Sequence, residues 1–379
     1  VFLAFVLPIT SAGVSIIAAL ILLVWLAERD FSRKFGEIKS NPVALAVLGF
    51  LALHIVGLAW VDVEPINSFK SFLLLLIPIV MTSIKKEFIP KIFASFIAAM
   101  TLSEFLVYKN IIINFDVLST IDPSSFMPFL SHITYNPFLA FAISILIVLM
   151  INQKLETKYR YFGWLFLTSM ILNMFLTGGR AGQVALLVCF AVLISYYFWH
   201  KKILFFSFLG IIPVFISLMY FTNPVFQNRA NQAVSDVANF NQNQNTSVGQ
   251  RIQFTINSIE LIKEKPIIGH GTGSFEKNYE RIHNHLTPNF TLATNPHNNY
   301  ILVLVQFGIV GLLVFLSIFY TQIRSFVSTP NGFEYKPLKL ILPVMFMVIC
   351  LSDTYLWGHH TQALFALFSG ILYSDRVSS

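Results

Sequence analysis

The residues best suited to chemistry lie in TNPHNNYILVLVQFGIVG, residues 294–311. Asn295 suits an N-cap and Pro296 the first helical position, which puts His297 in the first turn of a long apolar helix. Gly308 and Gly311 then fall on the histidine's own stripe at about 100° per residue. Small residues on one stripe let a neighbouring helix come close. A helix N-terminus favours a nearby anion and disfavours an imidazolium. His297 is therefore expected at the rim of a packed helix seam, as a proton acceptor. A lone interfacial histidine is the plain alternative; the cap and the two glycines favour chemistry.

Two arginines stand beside patterned stretches of their own. Arg251 opens a stretch in which Ile252, Ile256, Ile259 and Ile262 recur at helical spacing, ended by Pro266. The pattern predicts an amphipathic helix along a membrane surface or against the tops of spans. Arg180 sits between two apolar runs, flanked by Gly178, Gly179 and Gly182. Those glycines suggest close approach by a ligand or a helix, although an arginine there can also anchor a helix end at lipid headgroups. Asp353 occupies a very short turn between the last two apolar runs. It can orient His297, pair with an arginine or cap a helix.

Other motifs carry less. Gly269, Gly271 and Gly273 follow no strand, so a tight turn is favoured over a phosphate cradle. Asp62 with Glu64, and His283 with His285, each lack a third ligand, and no metal site is expected. Tyr135 and Asn136, after His132, either line a binding site or simply begin a helix before Pro137. The polar stretch 222–246, running into FNQNQNTS, reads as solvated and flexible.

The elements that must position these residues follow from composition. Of 379 residues, 56% are apolar and 11% charged, and Phe occurs 39 times. Soluble domains carry about 25% charged residues. A disordered chain, a disulfide scaffold and an ordinary cytosolic enzyme are excluded, leaving an all-α, polytopic membrane bundle. Cys189 and Cys350 lie inside apolar runs and read as packing residues. Spans are expected at 12–27, 43–61, 68–82, 88–107, 133–151, 160–177, 181–198, 203–221, 298–320, 337–352 and 354–374. Residues 1–8 read as the stump of one more, truncated at Val1, so the count is eleven or twelve. Lys and Arg concentrate at 29–39, 85–91, 154–160, 201–202, 324–339 and 376. These are one set of alternate loops, which the positive-inside rule makes cytoplasmic. That rule also accounts for the net charge of +7 without nucleic acid. The long loops 108–132 and 222–297 then face outward. The whole chain reads as one integral membrane domain with 222–297 as a large outward-facing insertion containing short helices.

HNNYILVLVQFGIVG resembles the His-Asn, nine residues, Gly-x-x-Gly pattern of the O-antigen ligase and polymerase superfamily. RIQFTINSIELIKEKPIIGHGTGSF and TGGRAGQVALLV resemble the family's stretches around its two outer-face arginines. The resemblance covers residues 177–311. It implies a glycosyltransferase of the C type in the bacterial inner membrane, using an undecaprenyl-diphosphate-linked O-antigen as donor. In ligases, which the chain most resembles, the acceptor is a sugar of the lipid A–core. By position, Arg180 and Arg251 would hold the diphosphate and His297 would activate the acceptor hydroxyl. Asn298, Asp353 and Tyr135 are expected to contact substrate. No cofactor or metal is implied, since two guanidinium forks can offset a leaving diphosphate. A polymerase with the same donor, a protein O-oligosaccharyltransferase and a lipid-linked glycan flippase are the alternatives. A transporter would bind at the midplane, where polar residues are few, chiefly His54.

Overall fold

A computed structural model describes residues 1–65, 70–114, 126–152, 157–240, 242–243 and 245–378. Residues 115–125 of the expected 108–132 loop, residues 68–69 of one expected span, Lys154, Asn241 and Gln244 lie outside the described residues. No strand occurs among the described residues. In lipid, each backbone N–H and C=O must be satisfied internally, and a helix does this within one segment. The helices are α1 Phe2–Val6, α2 Ser11–Ala27, α3 Phe31–Ser40, α4 Pro42–Val56, α5 Leu76–Ser83 and α6 Ile89–Ile113. Then come α7 His132–Asn152, α8 Thr157–Leu176, α9 Arg180–Phe198, α10 Lys202–Thr222, α11 Pro224–Ala238 and α12 Ser247–Glu264. The last are α13 Phe275–Leu286, α14 Asn299–Ser328, α15 Lys336–Ile349, α16 His359–Leu372 and α17 Asp375–Ser378.

Among the described residues, six helices are long and apolar enough to cross a membrane: Pro42–Ala59, Lys86–Ile113, His132–Asn152, Arg180–Phe198, Lys202–Thr222 and Asn299–Ser328. A seventh counts if α2 and α3, bent by 115°, form one broken span. Other expected spans take shorter forms. The 3₁₀ helix Lys70–Leu75 leads into α5. With 14 residues each, α15 and α16 reach about 21 Å against an apolar core of about 30 Å. Protein surrounds them instead: α16 is buried from Thr361 to Leu372, where short or irregular segments are tolerated. Phenylalanines interlock there, with the Phe368 ring 4.9 Å from Phe141 and 5.1 Å from Phe96.

The bundle has two chemically different ends. At one, Glu37 bonds Arg376 at 2.7 Å and Arg33 at 3.0 Å, and the fully buried Lys34 meets Glu28 at 2.9 Å. Helix α4 starts here, where Asn41 donates to the Tyr373 carbonyl at 2.8 Å. It runs to the opposite end, where the Gly57 carbonyl accepts from Thr272 N. That second end gathers α11–α13 and the start of α14.

Candidate active site

Each residue of His297-Asn298-Asn299-Tyr300 bonds to the segment joining α15 to α16 or to the end of α15. His297 Nδ1 lies 3.1 Å from Asp353 Oδ1. Asn298 Nδ2 donates to the Leu351 carbonyl at 3.1 Å. Asn299 N donates to the Cys350 carbonyl at 2.9 Å, and its Oδ1 accepts from Leu356 N at 3.0 Å. Tyr300 donates its hydroxyl to the Met347 carbonyl at 2.7 Å. With Nδ1–H donating to Asp353, Nε2 is the nitrogen left to accept a proton.

The expected cap is displaced by three residues. Helix α14 starts at Asn299, and Asn298 Oδ1 accepts from Tyr300 N and Ile301 N. His297 stands outside the helix at φ 49°, with its N–H donated to Asn295 Oδ1 at 2.9 Å. Asn298 spends both ends of its amide inside the protein, as cap and as clamp, so its place in a substrate-contacting set has a structural explanation instead.

Burial alone would push the Asp353 carboxyl up. The hydrogen bond and charge of His297, the Thr354 N–H and the charge of Arg251 outweigh it and hold the carboxyl below its usual range. Arg251 is half-buried, and its guanidinium has no hydrogen-bond or salt-bridge partner among the described residues. One turn further along α12, the Phe254 ring stacks on His297 with centroids 5.9 Å apart and planes at 20°. The same helix thus carries a cation and the plate on which the imidazole lies.

Arg180 begins α9, and its Nη2 donates to Ser247 Oγ at 3.3 Å, at the first residue of α12. Its Nη1 is buried with no hydrogen-bond partner among the described residues. It feels the charges of Arg251, Arg229 and Asp236. Arg180, Arg251, His297 and Asp353 therefore meet at one end of the bundle. The close approach signalled by the Arg180 glycines is made by a helix: a Cβ on Gly182 would lie 2.2 Å from Asn136 Cβ of α7.

Two expectations are overturned. Gly308 does not share a helical stripe with His297, because α14 breaks there at φ 59°, ψ −157°. The glycine turn fills that break. His270 N and Gly271 N donate to the Val305 and Gln306 carbonyls at 2.9 and 2.8 Å, while Ile309 N and Val310 N donate to the Pro266 and Ile267 carbonyls. A Cβ on Gly308 would lie 2.3 Å from the Ile267 backbone. Residues 222–246 are not wholly a flexible stretch either. Asn223 caps α11 at Phe226 N, and Pro224 opens it.

Helix α11 holds what the sequence reading missed, Arg229 and Asp236, seven residues apart on one face and both acting on Arg180. The cap signal at Asn223-Pro224 could have found the helix.

Tyr135 is only 1% exposed and donates to Asn173 Oδ1 at 3.1 Å. It packs inside the bundle and does not line an open site. Asp62 accepts from Lys265 Nζ at 2.6 Å, and no metal-holding cluster of three acidic, His or Cys side chains occurs among the described residues.

Residues 164–316 match the family model described as O-antigen ligase, which bears out the family resemblance over the segment holding Arg180, Arg251 and His297. The chain is also 30% identical, over 196 residues, to an uncharacterized protein of Haemophilus influenzae. That alignment covers 50% of this chain and 49% of the relative, so the chain spans about half the length of the curated relative it matches. The apolar helices, together with the family match over residues 164–316, make this a multi-pass membrane protein.

Proposed function

We propose that the protein is a glycosyltransferase of the O-antigen ligase type in lipopolysaccharide biosynthesis. It takes a glycan from undecaprenyl diphosphate and joins it to a sugar hydroxyl of lipid A–core on the periplasmic face of the inner membrane. The observation that carries this reading is the His297–Asp353 pair at the same end as Arg180 and Arg251, neither of which is salt-bridged to a carboxylate among the described residues. The acceptor hydroxyl gives its proton to His297 Nε2 while its oxygen forms a bond to the anomeric carbon. The bond from that carbon to the diphosphate oxygen breaks, and the electron pair leaves with the diphosphate. Arg180 and Arg251, with Arg229 behind them, offset that charge in place of a metal ion. Asp353 holds the imidazole tautomer and balances the imidazolium that forms. The surplus of Lys and Arg at the Arg33–Arg376 end supports an outward-facing site.

The test is transfer in detergent by purified protein, with donor lipid and lipid A–core. A ligase forms product only with the core present. Extension of donor on donor identifies a polymerase, and no product at all refutes the assignment as a transferase.

A further inference from the structure

A cavity of about 190 Å³ lies against the dyad but contains neither of its members. Its walls include Phe275 and Trp357, with Glu276, Asn295, Gln306 and Thr354 as polar lining. Two of these touch the dyad directly. Asn295 Oδ1 accepts the His297 N–H at 2.9 Å, and Thr354 N donates to Asp353 Oδ1 at 2.7 Å.

Two lining residues hold buried donors that nothing satisfies among the described residues, Gln306 Nε2 and Trp357 Nε1. Gln306 is 1% exposed. Buried donors without partners cost stability, and such groups are rare unless something fills the gap. Their presence disfavours an apolar occupant. Glu276 and Lys70 both line the space with opposite charges, so neither an anion nor a cation is selected. Aromatic walls with amide, hydroxyl and carboxylate groups between them suit a neutral ring bearing several hydroxyls, with an apolar face and polar edges. The volume is below the about 300–1,000 Å³ of sites for drug-sized ligands, so it fits one ring and no chain.

We infer that this cavity seats a sugar ring of the acceptor, Trp357, Gln306 and Glu276 binding its hydroxyls next to the His297–Asp353 dyad. The inference rests on the transferase reading above and adds to it the chemistry that selects the acceptor. The arginines lie on the α9–α12 side, and the cavity borders Asn295, which holds the His297 N–H, and Thr354, which holds Asp353. That separation keeps the ring away from the arginines proposed to hold the diphosphate, which leaves it to the acceptor.

Trp357→Phe keeps the wall and removes one donor; Glu276→Gln removes one charged acceptor. In the purified full chain, each should raise KM for lipid A–core about three- to ten-fold, the range of a lost hydrogen bond, with kcat and donor KM nearly unchanged. Calorimetric binding of the core oligosaccharide freed of its lipid should weaken by the same factor in both variants. That measurement reads the cavity even if no transfer is found. Unchanged acceptor KM and unchanged binding in both variants overturn the inference, as does failure of the wild type to bind the oligosaccharide. A rise in donor KM instead assigns the ring to the donor and overturns it as stated.

Discussion

His297 and Asp353 stand 56 residues apart in the chain and 3.1 Å apart in space. A general base contributes about 10²–10⁴ in rate, so His297→Ala should leave at most about one per cent of transfer activity, measured with saturating donor and acceptor. Arg251→Ala should cost about 10²–10³, the loss expected for a donor to transition-state charge. Wild-type rates from either variant refute the role given to that residue. Asp353 titrates below its usual value in the folded protein, so its stabilising effect is complete above the unfolded value of about 3.9 and fades as pH falls through the folded one. Thermal unfolding should therefore show Asp353→Asn less stable than wild type at pH 7. The gap should narrow below about pH 4. A gap that widens with acid contradicts the sign.

At the scale of elements, the break in α14 matters most. Gly308→Ala meets the Ile267 backbone and a backbone region that only glycine adopts at low cost, so strain of about 1–3 kcal/mol is the least expected. The variant should melt well below wild type, by fluorescence or light scattering. An unchanged melting point means the clasp is dispensable. Much of this level was legible beforehand. The isoleucine period drew α12 and Pro266 marked its end. Periodicity did not say which face would be inside. Ile256 and Ile259 are exposed at 43% and 42%, while Gln253, Asn257 and Ser258 are buried. They are tolerated because Asn257 donates to Tyr279 and Thr287 and accepts from Gln253. Beside lipid, the apolar face of a helix has two possible partners, and spacing cannot choose between them. The cap was misassigned for a related reason: Asn295 and Asn298 are the same residue type three positions apart, and only the hydrogen bonds distinguish them. Tyr135 was unreadable because its partner, Asn173, is on another helix. The trio of Arg180, Arg251 and His297 was visible through the family resemblance, whereas Arg229 and Asp236 were hidden in a stretch whose polarity suggested flexibility.

Across the whole molecule, charge is divided between two ends, and the proposed orientation follows from that division. Both native cysteines are buried, so single introduced cysteines can report sidedness. Lys277→Cys, at the end bearing the candidate site, should react with an impermeant maleimide in intact spheroplasts. Arg29→Cys should react only after permeabilisation, and the reverse pattern inverts the topology. One further consequence concerns timing. Arg251 and Phe254 occupy a single turn of α12, so a force that draws the guanidinium onto a pyrophosphate also tilts the plate beneath the imidazole. On the proposed reading, binding of the lipid carrier at Arg251 and placement of the proton acceptor are coupled through that one turn. Steady-state turnover should then be ordered, carrier first, and random-order kinetics would show that the two act separately.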